Sequence, residues 1–126
     1  MVNAISAILT DLPNLTVIIN HCGNTESQTL AQQGLEKLSQ HTNCFIKCSG
    51  WEMTNRQWTV DYAASNIANI ISIFGIDRVM LASNFPLTLF SCSYQSLWQL
   101  YTDKLTFTDK ELKALTFDNA KRIYRF

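Results

Sequence analysis

The sequence has no excess of charge of either sign, because ten Lys and Arg residues stand against ten Asp and Glu residues. A protein that binds nucleic acid neutralises phosphates with basic residues, so this balance argues against a nucleic-acid partner. No run of about 18 apolar residues occurs, which argues against a membrane partner. The first residues also lack the basic start and the cleavage site of a secretory signal. With 47% hydrophobic residues, the chain is predicted to be one globular, cytoplasmic domain, residues 1–126.

Two further patterns are absent, a metal-binding cysteine motif and a glycine-rich phosphate loop. The four cysteines are Cys22, Cys44, Cys48 and Cys92. They form no CxxC pair, and the two histidines do not have zinc-finger spacing. Cys44 and Cys48 are spaced to share one face of a predicted strand, so we interpret the cysteines as reduced thiols of the core. Because neighbouring strand residues point to opposite faces, Cys22 and His21 are not expected to form a catalytic pair.

The residues that are present alternate between two hydrophobic periods. Helical spacing predicts helices over 2–12, 26–40, 57–74, 93–105 and from 108 to the end. Short, β-branched apolar runs predict strands over 15–23, 44–50 and 78–83. Those runs are nearly continuous rather than alternating, as in strands that are buried on both faces. This order predicts an α/β fold with a parallel sheet and right-handed crossovers.

Local signals mark several boundaries of these elements. Gly75 is predicted to end its helix with a positive φ. Thr108 and Glu111 have the spacing of a capping box at the start of the last helix. The segment Asn84-Phe85-Pro86 is expected to lead the chain out of the third strand.

Polar residues stand at the ends of all three predicted strands. They are His21 on the first strand, Lys47 with Ser49 on the second, and Asn84 on the third. Each has a structural alternative: a histidine that fixes a loop, a lysine in a buried ion pair, and an asparagine in a turn. In parallel β/α proteins, however, binding sites gather where strands end. The recurrence of polar residues at equivalent positions therefore favours a functional site.

Four segments of the sequence resemble the closing motifs of a known enzyme family. They are DLPNLTVIINHCG, CFIKCSGW, FGIDRVMLASNFPL and FDNAKRIYRF, and together they span residues 11 to 126. They are similar to the amidohydrolase-related family, in particular to the branch that includes sugar-lactone and dicarboxylate lactonases. The resemblance implies a partial (β/α)₈ TIM barrel whose last three strands are residues 15–21, 44–49 and 78–84.

The resemblance also implies roles for the residues at the strand ends. His21 matches a histidine that binds metal or substrate, so a divalent metal such as zinc is implied once the missing strands are supplied. Asn84 stands where many members have an aspartate that binds metal and handles the proton of the attacking water. Lys47 matches a basic residue at the end of a strand, with a role in substrate binding. Ser49, at the same strand end, is predicted to bind substrate with it. The closing residues 118–125 match a terminal helix that we interpret as structural.

Two departures from the family pattern bear on activity. The family's opening His-x-His pair is missing from this chain, and an amide at position 84 cannot accept a proton as a carboxylate does. The resemblance implies hydrolysis of a lactone, ester or amide carbonyl in a small molecule, with the isolated chain expected to lack activity. The alternatives are a non-catalytic partial barrel or pseudoenzyme, and a small α/β binding domain.

Three parallel strands cannot close a barrel that needs eight. Two strand edges and one sheet face are therefore expected to remain open, with unpaired backbone groups that can pair with another chain. We expect self-association, or pairing with a chain that carries the missing strands. Residues 2–12 are expected to be a helix whose preceding strand lies in that missing part.

Overall fold

The computed structural model describes residues 1–23 and 28–126. Its strands are β1 (Val17–Ile19), β2 (Cys44–Cys48) and β3 (Val79–Leu81). Its helices are α1 (Val2–Asp11), α2 (Gln28–Ser39), α3 (Trp51–Thr54), α4 (Val60–Phe74), α5 (Tyr94–Lys104), α6 (Asp109–Lys113) and α7 (Asn119–Tyr124). The predicted helix start at residues 26 and 27 lies outside the described residues. Within those residues, no helix is long and apolar enough to cross a membrane.

The three strands form one parallel sheet in the order β1-β2-β3. Val17 lies opposite Cys44 in the first pair of strands, and Ile46 lies opposite Val79 in the second. Parallel neighbours need a crossover between them, and here helices supply it: α2 between β1 and β2, and α3 with α4 between β2 and β3. The predicted α/β fold with a parallel sheet is confirmed.

The two faces of this sheet have different surroundings. One face belongs to the hydrophobic core and packs on residues of α1, α2, α4 and α5; its strand residues are Val17, Ile19, Cys44, Ile46, Cys48, Val79 and Leu81. The other face, which we call the open face, carries Ile18, Phe45, Lys47 and Met80, and none of them belongs to that core. The core helices therefore pack on one side of the sheet, whereas the open face is covered in part: Met80 is buried, and Lys47 contacts Tyr124 of α7.

All three strands are shorter than predicted, and the backbone explains where β1 and β2 end. After β1 the chain enters the left-handed region at His21, with φ 54°, which extended strand residues do not adopt. After β2, Gly50 has φ 77° and leads into α3, a short helix that the sequence pattern did not predict. α4 starts at Val60 rather than at residue 57 because the Thr59 side chain accepts a hydrogen bond from the backbone N–H of Tyr62.

The C-terminal helices close the amino end of β3. The predicted capping box is confirmed, since Thr108 and Glu111 exchange side-chain and backbone hydrogen bonds. A π-helical turn over Ala114–Asp118 then leads into α7. Asn119 is buried and donates from Nδ2 to the carbonyl oxygens of Ile76 and Val79, both at 2.8 Å. These bonds agree with the structural role that we predicted for the closing helix.

Candidate functional site

The carboxyl ends of the parallel strands meet at one edge of the sheet, which we call the carboxyl edge; it comprises residues 20–23, 49–52 and 82–85. In the described chain, three of the four non-glycine residues with positive φ lie there: His21 (54°), Cys22 (55°) and Asn84 (56°). Left-handed backbone is unfavourable for residues that carry a side chain, and such residues cluster at functional sites. The backbone therefore points to this edge independently of the side chains.

His21 is held by the loop that follows β2. Its Nδ1 atom lies 3.0 Å from Oγ of Ser49, which is itself 4% exposed. Gly50 packs directly under the ring, because a Cβ atom at this position would lie 2.9 Å from His21 Nδ1. The contact and the φ of 77° both require glycine here. The structure thus brings together two predicted site residues, His21 and Ser49, and adds Gly50, which the sequence had indicated only as a strand end.

Asn84 pairs with a carboxylate that the sequence analysis did not single out. Its Nδ2 donates to Oε1 of Glu52 at a distance of 2.5 Å, and Glu52 is 7% exposed. The signal that could have found Glu52 is its position, because it follows β2 closely at the edge where binding sites gather. Its burial depends on α3, which periodicity could not predict from four residues.

The helix that carries Glu52 is fixed to the neighbouring strand by an aromatic pair. Trp51 Nε1 donates to the hydroxyl of Tyr101 at 2.7 Å, and that hydroxyl donates to the carbonyl oxygen of Ala82 at 3.3 Å. Both rings are buried, with Tyr101 at 0% exposure. Burial is the main cause that raises the pKa of the Tyr101 hydroxyl, which therefore stays protonated and keeps donating.

Lys47 lies apart from these two pairs. It is on the open face, opposite Met80, and its Nζ lies 5.5 Å from the centroid of the Tyr124 ring of α7. Such a distance is within the range of a cation–π contact. No hydrogen bond joins Lys47 to His21 or to Asn84, so its role in substrate binding stays a prediction. The same holds for Ser49, whose contact is with His21.

His21, Glu52 and Asn84 each keep one polar side-chain atom free of hydrogen bonds to the described protein. In residues 1–23 and 28–126, Trp98 Nε1 is the one buried side-chain nitrogen or oxygen without a hydrogen-bond partner. His21 Nε2, Glu52 Oε2 and Asn84 Oδ1 have no partner in the described protein either. These three atoms are not buried, so they reach solvent. His21, Glu52 and Asn84 therefore offer one ring nitrogen and two acceptor oxygens.

The cysteines are free thiols, and two of them meet beneath this edge. A hydrogen bond from Cys48 and one from the backbone of Ser49 lower the pKa of Cys22, although burial acts in the opposite direction. The same contact and complete burial raise the pKa of Cys48 well above its usual range. Burial raises the pKa of Cys44 to about 11. Cys44 and Cys48 lie on the core face, as their spacing predicted.

We tested whether these residues fit the metal that the resemblance implies. A zinc site takes three or four protein ligands, usually His, Cys, Asp or Glu. The described part of the chain holds no group of three such residues that could bind a metal ion. His21 and Glu52 carry groups that can bind a metal at this edge, but Asn84 contributes only a neutral amide. The described residues therefore do not make up a complete metal site.

An apolar cavity of about 530 Å³ lies beside His21. It opens between α1, α2 and the edge strand β1, and its wall includes Ile5, Ile19, Leu35 and Leu38. Because β1 has only β2 as a neighbour in the described sheet, this cavity adjoins an unpaired strand edge. The cavity places apolar surface next to the candidate site.

Known proteins are similar to this chain over most or all of its length. The amidohydrolase family profile matches residues 1–126. The chain is 36% identical to the uncharacterized protein y4mH of Sinorhizobium fredii, over 91% of this chain and 40% of that protein. It superposes on a zinc-bound amidohydrolase of Burkholderia multivorans with a TM-score of 0.79 at 19% identity, over 99% of this chain and 49% of the other.

A third relative is a solved Pseudomonas putida protein assigned as a 2-pyrone-4,6-dicarboxylic acid hydrolase. It gives a TM-score of 0.71 at 21% identity, and the match covers 98% of this chain and 49% of that one. The chain thus spans between two fifths and half of the length of these three relatives. The family resemblance and the partial barrel are confirmed. This chain belongs to the amidohydrolase family, and its three β/α units correspond to about half of an amidohydrolase TIM barrel.

Proposed function

We propose that this chain supplies one side of the active site of a hydrolase that acts on a lactone, ester or amide carbonyl. The observation that carries the proposal is the carboxyl edge, where His21 and Asn84 are both held by partners while His21 Nε2, Glu52 Oε2 and Asn84 Oδ1 reach solvent. Catalytic groups of this fold stand at that end of the strands. The likeness to the Pseudomonas putida protein makes a lactone the first substrate to test.

The chemistry assigned to these residues follows from their hydrogen bonds. If Ser49 Oγ–H donates to Nδ1 of His21, the proton of the neutral ring is on Nε2. Nε2–H can then donate to the carbonyl oxygen and stabilise the negative charge that develops there. Asn84 Oδ1 accepts a hydrogen from the attacking water and orients it. We propose that Lys47, on the open face, attracts a carboxylate or hydroxyl of the substrate.

The proposed enzyme needs a second part, because three strands cannot form a closed barrel. On the open face, Ile18 and Phe45 are only partly covered, and they stand outside the core. We propose that the missing strands cover this face, either from another chain or within a self-associated form. A divalent metal such as zinc would then take additional ligands from that second part.

Activity is best tested in the whole chain joined to the part of the Sinorhizobium fredii protein that it does not cover. We expect the joined protein to hydrolyse members of a panel of lactones, esters and amides, and the chain alone to be at least about 100-fold slower, since half of the site is absent. A joined protein that folds but hydrolyses nothing contradicts the proposal. It would favour the alternative, a non-catalytic partial barrel.

The need for a partner has its own test. Light scattering of the purified chain is expected to show a dimer or a larger assembly, because apolar strand edges and an apolar face pair with one another. The joined protein serves as the control and is expected to form assemblies of fewer subunits than the chain alone. A sharp monomer peak with a cooperative thermal transition contradicts this part of the proposal.

We also propose a reducing compartment, the cytoplasm, for this chain. The four cysteines are free thiols, and Cys44 and Cys48 are buried in the core. Free thiols are typical of reducing compartments, whereas oxidising compartments favour disulfides.

A further inference from the structure

Glu52 is the one charged side chain that is buried in the described part of the chain. A buried carboxylate is unfavourable unless a cation or hydrogen bonds compensate it. The one ion pair among the described residues joins Lys113 and Asp118, so no described cation compensates Glu52. Its recorded side-chain partner is the Asn84 amide. Glu52 is therefore a buried carboxylate without an ion-pair partner among the described residues, and an ion pair does not explain its position.

The pair that Glu52 forms fixes the orientation of both side chains. An ionised carboxylate can only accept hydrogen bonds, so the group of Asn84 that faces it must be the NH₂ group. Asn84 Oδ1 is therefore turned away from Glu52. Both Oδ1 and the second carboxylate oxygen, Oε2, have no partner in the described protein and reach solvent. The pair thus presents two hydrogen-bond acceptors to solvent: the neutral amide oxygen of Asn84 and the basic carboxylate oxygen Oε2 of Glu52.

The local structure places this pair at the same edge as His21. Glu52 stands in α3, which begins right after Gly50, and Gly50 packs against the His21 ring. The hydrogen bond of Trp51 to Tyr101 holds the helix. Asn84 keeps a φ of 56° on the neighbouring strand end. The Glu52 carboxylate is therefore held in place by the packing and hydrogen bonds of its neighbours.

We propose that Glu52 is the catalytic base of this site; the inference rests on the hydrolase function proposed above. The oxygen of a water molecule forms a bond to the substrate carbonyl carbon, and one water proton passes to Glu52 Oε2. The electron pair of the carbonyl double bond moves to its oxygen, where His21 Nε2–H stabilises the charge. When the carbonyl re-forms, the bond to the leaving oxygen or nitrogen breaks, and Glu52 returns the proton to that atom. Asn84 Oδ1 holds the other hydrogen of the water.

The competing explanation is that Glu52 only holds Asn84 in place. The variant Glu52→Gln separates the two explanations, because its amide oxygen still accepts from Asn84 Nδ2 while the proton acceptor is lost. In the joined protein we expect kcat to fall on the order of 10²–10⁴-fold with KM little changed, as for loss of a general base. Glu36→Gln, at an exposed position of α2, is the matched control and keeps its activity. Unchanged kcat in Glu52→Gln overturns the proposal.

An exchange of the two groups sharpens the same test. The double variant Glu52→Gln with Asn84→Asp moves the carboxylate to the other side of the hydrogen bond, so that the new glutamine amide donates to it. We expect the double variant to recover at least about 10-fold of the lost kcat, because a base again faces the same water. A double variant that is as slow as, or slower than, Glu52→Gln alone argues for a purely structural pair and overturns the base role.

A spectroscopic measurement tests the pair without any substrate. In ¹⁵N–¹H spectra of the full chain, the side-chain amide of Asn84, assigned by its loss in Asn84→Ala, is expected to be shifted downfield and to exchange slowly. Both properties should disappear in Glu52→Ala. An Asn84 signal typical of a solvated amide overturns the inference even if the joined protein hydrolyses its substrate. An intact pair in a joined protein without hydrolysis refutes the proposed function instead, and the base role falls with it.

Discussion

The two ends of the sheet use polar side chains in opposite ways. At the amino end, Arg78 donates to the carbonyl oxygens of Phe74, Ser39 and His41, and Asn119 donates to those of Ile76 and Val79. At the carboxyl end, His21, Glu52 and Asn84 each use one side-chain atom within the protein and leave another open to solvent. One end closes the fold, whereas the other end keeps polar atoms that reach solvent.

The backbone shows the same contrast. Of the four non-glycine residues with left-handed backbone within residues 1–23 and 28–126, three lie at the carboxyl edge, and the fourth, Arg125, ends α7. Strain of this kind costs free energy and persists where surrounding contacts impose it. In β/α barrels, residues at the amino end of the strands serve stability and residues at the carboxyl end serve catalysis. The comparison thus separates variants that should unfold the chain from variants that should affect its chemistry.

The largest effect on stability is expected for Asn119→Ala at the amino end. The change leaves two carbonyl oxygens without their donor in a buried place, and each unsatisfied group costs about 1–3 kcal/mol. We expect the free energy of unfolding, measured by urea denaturation, to fall by about 2–4 kcal/mol. Asn69→Ala, on the exposed surface of α4, is the matched control. A loss that is no larger than in the control would contradict a structural role.

A smaller effect on stability, joined to an effect on activity, is expected for Gly50→Ala. The added Cβ would meet the His21 ring, and the positive φ is unfavourable for alanine. We expect a loss of about 1–2 kcal/mol in the free energy of unfolding, by the usual cost of a side chain in this region. The variant should also displace His21 and lower kcat in the joined protein. Gly75→Ala is the control, because it has a similar φ but nothing within 4 Å of the added atom.

The smallest effect is expected from the titration of Cys44 in the core. Burial raises the pKa of this thiol from its ordinary value of 9.0 to about 11 in the folded chain. Between these two values the unfolded chain loses the proton while the folded chain keeps it, so stability falls as the pH rises. Urea denaturation at pH 8 and pH 10.5 should show this decrease, and Cys44→Val should reduce it. If the stability of Cys44→Val fell equally between these two pH values, the decrease would come from titratable groups other than Cys44.

The sequence predicted the parts of this comparison that depend on local patterns. The order of helices and strands follows from hydrophobic periodicity, and the Thr108–Glu111 capping box follows from spacing within one turn. His21, Ser49 and Asn84 could be proposed because strand ends could be located. Glu52 could not, since its partner Asn84 is distant in sequence and the contact needs the turn at Gly50. The end of β1 depended on the left-handed backbone of His21, which no pattern marks in advance.

The most direct test of the contrast between the two ends is the variant His21→Asn, measured for both kcat and stability in the joined protein. Asparagine tolerates the left-handed backbone at this position, so the fold should be kept. We expect kcat to fall at least about 100-fold while the free energy of unfolding changes by less than about 0.5 kcal/mol. Unchanged kcat, or a loss of activity that only follows a loss of stability, would contradict a catalytic role for the carboxyl edge.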